Sequence, residues 1–158
     1  EKKTSHLSVL EGVMIDRELR AAASPIGWPV QGGWVSSAFG MRADPFTGQT
    51  SSHDGVDIAI GLGSPIKALS RGVVTYAGEK LGREGYGLIV EINHGNGFAT
   101  RYAHLRQVLV KAGERVEKGQ AVALVGSSGR STGPHLHFEV LRDGRTVNPQ
   151  PFLRPSQG

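Results

Sequence analysis

From Gly133 to Val140 the chain reads Gly-Pro-His-Leu-His-Phe-Glu-Val, with polar and apolar positions alternating at period two. That is the pattern of a β-strand. His135, His137 and Glu139 then share one face, and Leu136, Phe138 and Val140 the other. The rest of the chain from Trp28 onward has the same texture of short apolar runs cut by turns. It predicts strands over Trp34–Gly40, Val56–Ile60, Pro65–Leu69, Gly72–Ala77, Gly87–Asn93, Phe98–Leu105, Val108–Val110 and Ala121–Gly126. His94-Gly95-Asn96-Gly97 reads as a hairpin turn, because Asn-Gly accepts the positive φ angles a tight turn needs. Lys118-Gly119 is a second turn. Met41–Ser52, carrying Asp44-Pro45 and Thr47-Gly48, and the Gly/Ser-rich Ser127–Pro134 read as loops. Only residues 1–23 look helical: Leu7, Leu10 and Met14 recur at three- and four-residue spacing, good helix formers follow, and Ser24-Pro25 ends the run.

This pattern predicts a mostly β fold, a small antiparallel sheet or sandwich-like domain over residues 27–153. Ahead of it, residues 1–24 form a helical segment that reads as the end of a longer helical or coiled-coil region. Residues 154–158 form a short tail. Composition agrees: 158 residues suffice for one core, and 23 glycines with 8 prolines suit many tight turns. The tract Val110–Gln120 also resembles a segment of biotinyl/lipoyl carrier domains. It lacks a displayed attachment lysine, so the likeness is one of β-architecture.

The absence of cysteine excludes disulfides, thiolate metal sites and a cysteine nucleophile, so any metal must be held by histidine and carboxylate. A net charge of +4 is a mild basic excess, suited to an anionic polymer. Lys/Arg runs interleaved with aromatics are missing, which argues against nucleic acid as a partner. No run of about 20 apolar residues predicts a membrane span. A start at Glu1 leads us to expect a processed or truncated piece whose targeting segment is missing.

The histidines carry the chemistry. Two of them on one strand face, His135 and His137, suit a metal, because a two-residue offset aims both rings the same way. His53-Asp54-Gly55-Val56-Asp57 adds a histidine four residues ahead of an aspartate, with Gly55 allowing the chain to bend so that both converge. One histidine of the pair with His53 and Asp57 makes a three-ligand site with an open fourth position, the layout of a catalytic zinc centre. Taken singly, His53 also reads as a surface loop residue and Asp57 as a turn cap. Thr100-Arg101-Tyr102-Ala103-His104-Leu105 contributes a further histidine, and strand parity puts Phe98, Thr100, Tyr102 and His104 on one face. His6 reads as exposed and His94 as a structural turn residue.

Together, His53-x-x-x-Asp57, Tyr102-Ala103-His104 and His135-Leu136-His137 resemble the signature of the lysostaphin/LytM-type zinc endopeptidases. Phe39-Gly40-Met41-Arg42, Tyr86-Gly87 and Gly129-x-x-x-Gly133 support the likeness, which covers residues 28–153 in the family's order. The resemblance implies one zinc ion on His53, Asp57 and His137, with His104 and His135 as catalytic histidines beside it. It implies hydrolysis of peptide cross-links in bacterial peptidoglycan, with the peptide stems as partners. Arg42 and Tyr102 are candidate substrate contacts. The first loop and the helical start resemble relatives of Gram-negative envelopes, so the expected bond is D-alanyl–meso-diaminopimelate and the expected place the periplasm, with an upstream anchor or regulator outside this chain. The rival expectations are a glycine-bridge endopeptidase, an autoinhibited enzyme, and a catalytically silent activator of other wall hydrolases. The five histidine and aspartate positions match the family's pattern throughout, which argues against the silent activator. With no His-Glu-x-x-His helix, proton transfer falls to His104 and His135.

Overall fold

The structure, a computed structural model, describes residues 24–43, 50–79, 87–126 and 134–154. The helix expected over 1–23, the two turn signals between 44 and 49, and the end of the tail lie outside the described residues. Twelve strands run β1 Trp34–Ser37, β2 Gly40–Ala43, β3 Thr50–His53, β4 Val56–Ala59, β5 Pro65–Lys67, β6 Gly72–Glu79, β7 Leu88–Gly95, β8 Phe98–Val108, β9 Arg115–Val116, β10 Ala121–Val125, β11 His135–Arg142 and β12 Arg145–Val147. One 3-10 turn among the described residues, Gln150–Phe152, follows. The main sheet is ordered β1-β4-β11-β8-β7-β6-β9, with β10 pairing β5 and β8, and β12 pairing β11. Every pairing between named strands is antiparallel. Near the two ends of the described chain, Gly27 and Leu153 form a parallel bridge.

The alternation in β11 sets this architecture. Leu136, Phe138 and Val140 are fully buried in a core shared with Val56 and Ile58 of β4, Tyr102 of β8, Val90 and Ile92 of β7, and Val122 and Val125 of β10. A one-residue slip would turn those three side chains away from the core, at about 1.5–3 kcal/mol each. Register is therefore held firmly where it matters for the site. The predicted Asn96-Gly97 turn is present, with φ of 54° and 83°, and joins β7 to β8.

Two local expectations are corrected, and the role of Gly55 is made specific. Part of the Met41–Ser52 loop is a hairpin, β2 against β3, with Gly40 opposite His53. Val108–Val110 is no separate strand, because β8 continues to Val108. Gly55 is not a positive-φ residue. Its reason is proximity: a Cβ there would lie 2.3 Å from the Phe138 carbonyl oxygen and 2.7 Å from Glu139 Cγ. Only glycine lets the turn before β4 lie this close to β11. Gly55→Ala is therefore expected to lower the unfolding free energy by about 1–3 kcal/mol through overpacking, measured by urea denaturation. A neutral result would mean that the turn can lift off β11 freely.

Candidate metal centre

Cross-strand register assembles the site. His137 of β11 stands opposite Asp57 of β4 on one side and Ala103 of β8 on the other. Residues directly opposite in an antiparallel pair point to the same face, so Asp57 and His137 meet although 80 residues separate them. His53, at the end of β3, arrives from the hairpin. His137 Nδ1 lies 2.8 Å from Asp57 Oδ1, and His53 Nε2 lies 3.5 Å from Asp57 Oδ2. One donor atom from each of His53, Asp57 and His137 falls within 4.8 Å of the others, the described group able to hold a metal ion.

The remaining ring nitrogens are tied down. His53 Nδ1 is 2.7 Å from the Ala38 carbonyl oxygen, which only an N–H can satisfy, so Nε2 is the nitrogen turned toward Asp57. His137 Nε2 is 2.8 Å from Glu139 Oε2. Two imidazoles, each oriented through its other nitrogen, plus one carboxylate are a donor set that suits a divalent cation of the zinc type. Ser37, opposite Asp57 in β1, has a buried hydroxyl without a hydrogen-bond partner among the described residues.

His135 and His104 close the group. His135 Nε2 is 3.9 Å from Asp57 Oδ1, and the His104 ring lies 4.9 Å from that of His135 and 6.0 Å from that of His137, centroid to centroid. His104 reaches this face by breaking parity. Leu88 pairs with Leu105 but Val90 with Tyr102, so β8 carries one extra residue there, and His104 has φ of 63°. This bulge separates the part of β8 paired with β11 from the part paired with β10. The expected sharing of a face by Tyr102 and His104 is thus overturned by the bulge.

Tyr102 stays on the core side. It is 0% exposed, packs against Phe138, and sits 3.0 Å from Thr100 Oγ1, whose other neighbour is the buried His94. Burial pushes its hydroxyl up to about 12. A side chain so enclosed does not line a groove, and the expectation that it meets substrate is corrected accordingly. Arg42 lies in β2 opposite Ser51, and its side chain falls outside the described residues.

Sequence reasoning missed Glu139, although parity had already put it on the histidine face. It is fully buried and bonds Arg101 Nη1 at 2.5 Å, and Arg101 Nε holds Glu91 Oε2 at 2.6 Å. Charges surround His137: burial alone would push its pKa down, but Asp57 and Glu139 hold it up at about 9. Burial likewise opposes ionisation of Asp57, and the hydrogen bonds from His137 and His53 outweigh it, keeping the carboxyl well below its ordinary 3.8.

Residues 51–149 match the profile of peptidase family M23. Among curated proteins, the DD-carboxypeptidase/endopeptidase Mpg of Neisseria meningitidis serogroup B is 43% identical over 122 residues, 77% of this chain and 27% of that protein. The lipoprotein NlpD/LppB homolog of Pseudomonas aeruginosa is 40% identical over 134 residues, 84% of this chain and 44% of that protein. The chain thus spans less than half the length of these relatives. Among solved structures, a zinc-containing peptidase from Vibrio cholerae superposes with a TM-score of 0.69 at 40% identity, covering 77% of this chain and 37% of that one.

Two outcomes follow from the geometry. In chelator-treated protein the stabilisation from His137 is fully present below its unfolded value of 6.5 and is lost as pH rises through about 9. That from Asp57 is present above 3.8 and fades only in acid. Thermal melts should therefore fall between pH 6.5 and 9, and a flat profile would contradict the pairing. Separately, His104→Gly should be more stable than His104→Ala by about 1 kcal/mol, because glycine takes the left-handed backbone without strain, as read by denaturant titration.

Proposed function

The chain belongs to peptidase family M23, and we propose that it is a zinc endopeptidase of the bacterial cell envelope that hydrolyses D-alanyl–meso-diaminopimelate cross-links of peptidoglycan. The observation that carries this reading is the convergence of His53, Asp57 and His137 beside two further histidines, His104 and His135. The bond follows from the resemblance to Gram-negative relatives and from the name of the Neisseria protein, a DD-carboxypeptidase/endopeptidase. The lipoprotein relative supports an envelope, and we place the chain in the periplasm. Among the described residues no helix is long and apolar enough to cross a membrane. The net positive charge favours an anionic wall polymer, in a salt-dependent way.

Zinc on His53 Nε2, the Asp57 carboxylate and His137 Nδ1 would supply a Lewis acid that lowers the pKa of water and polarises the scissile carbonyl. The chain's own residues do the rest. Ala38 and Glu139 fix the ligand rings, and Asp57 stays ionised at any physiological pH. His135 Nε2 faces the ligand group and His104 lies against His135, so the two imidazoles stand together on the working side. One takes the proton of the attacking water, and the other, protonated, stabilises the oxyanion and passes a proton to the leaving amine.

The test is zinc content together with cleavage of cross-linked muropeptides, with and without a chelator. About one zinc per chain and chelator-sensitive release of products cut between D-alanine and diaminopimelate is the expected result; no zinc after reconstitution, or cleavage indifferent to chelator, would sink it. Glycine-bridge cleavage instead would leave the zinc peptidase and change the substrate. His135→Ala should lose about 10²–10⁴-fold in turnover with zinc retained, measured on metal-loaded protein; full activity would remove His135 from the chemistry.

A further inference from the structure

The face of the sheet that carries the metal ligands also carries a second, buried row of charges one step along β11. Glu91 of β7 stands opposite Arg101 of β8, and Arg101 opposite Glu139 of β11. The side chains follow the register: Glu91 Oε2 to Arg101 Nε at 2.6 Å, Arg101 Nη1 to Glu139 Oε1 at 2.5 Å, and Glu139 Oε2 to His137 Nε2 at 2.8 Å. Glu139 is 0% exposed, and Gly55 lies directly over its side chain. A buried carboxylate costs several kcal/mol unless it is paired, so its retention calls for a reason.

We propose that Glu139, clamped by Arg101, is a positioning residue that locks the Nε2–H form of His137, leaving the Nδ1 lone pair for the metal. The assignment rests on the zinc reading above. Both oxygens of Glu139 accept from donors, one from the guanidinium and one from the imidazole. That double demand makes the residue specific. A glutamine has one oxygen, so its amide nitrogen must face either Arg101, donor against donor, or His137 Nε2. In the second orientation it offers a hydrogen to Nε2 and moves the ring proton to Nδ1, where it blocks metal binding. Glu91 completes the arrangement from the other side: by sharing the guanidinium it holds Arg101 in place without reaching the ligand. The row Glu91, Arg101, Glu139 keeps a net negative charge next to His137, which raises the basicity of the ligand.

The experiment measures the zinc dissociation constant by chelator competition, and the His137 Nε2–H resonance in zinc-loaded protein by ¹⁵N NMR. Glu139→Gln is expected to weaken zinc about 10–100-fold and to shift or lose that resonance. KM of the zinc-saturated variant should stay unchanged and turnover should recover in excess zinc. Arg101→Lys keeps the charge but gives up the planar fork, and should weaken zinc in the same direction. It serves as the test if Glu139→Gln does not fold. Wild-type zinc affinity and an unchanged resonance in either folded variant would overturn the proposal while leaving the zinc peptidase intact. A wild-type protein that takes up no zinc would overturn both.

Discussion

The pairing of β4 with β11, in the one register that sets Asp57 across from His137, is the constraint on which the site depends. It is enforced from beneath by packing, since Ile58, Val56, Leu136 and Phe138 alternate with the polar residues and are buried in the common core. The hydrophobic effect thus specifies a polar geometry it does not itself touch. Gly55 tightens the same junction by letting the backbone ahead of β4 rest on β11. Were the strands free to slide, Asp57 and His137 would part by a full pleat, and no electrostatic attraction at the surface would compensate for the exposed apolar side chains.

Above that core lies an uncommon density of charge for a protected surface. Asp57 and Glu139 flank His137, Arg101 balances Glu139, and Glu91 balances Arg101. Each ion is held by a neighbour in the adjacent strand, so desolvation is offset pair by pair. The arrangement favours a proton on His137 whenever no stronger positive charge is present, and a divalent cation is such a charge. Uptake of such a cation at neutral pH would therefore release a proton.

Much of this is legible in the amino-acid sequence. The alternation through Leu136, Phe138 and Val140 is a direct imprint of the buried face, and His53, Asp57 and the histidine pair stood out because metal-binding side chains cluster in few short contexts. The family resemblance named the same residues. What escaped has a physical cause in each case. Parity failed at His104 because an extra residue in β8 inverts the face, and a histidine gives no sequence sign of a left-handed backbone. Tyr102 is a candidate substrate contact by sequence, yet its hydroxyl is satisfied inside the core by Thr100. Glu139 went without a role because its meaning depends on Arg101, a partner 38 residues away. Gly55 was noticed for flexibility, whereas what it supplies is thinness.

The bridge between Gly27 and Leu153 has an architectural consequence. Gly27 donates its amide to the Phe152 carbonyl, and Arg154 donates back to the Gly27 carbonyl, so the two ends of the described chain are stitched at one corner. A unit closed in this way occupies a single point of attachment in any longer polypeptide. Sequence can be joined before or after it at that one corner, as in the longer relatives. The face that gathers His53, Asp57 and His137 can in that sense stay the same whatever carries the unit.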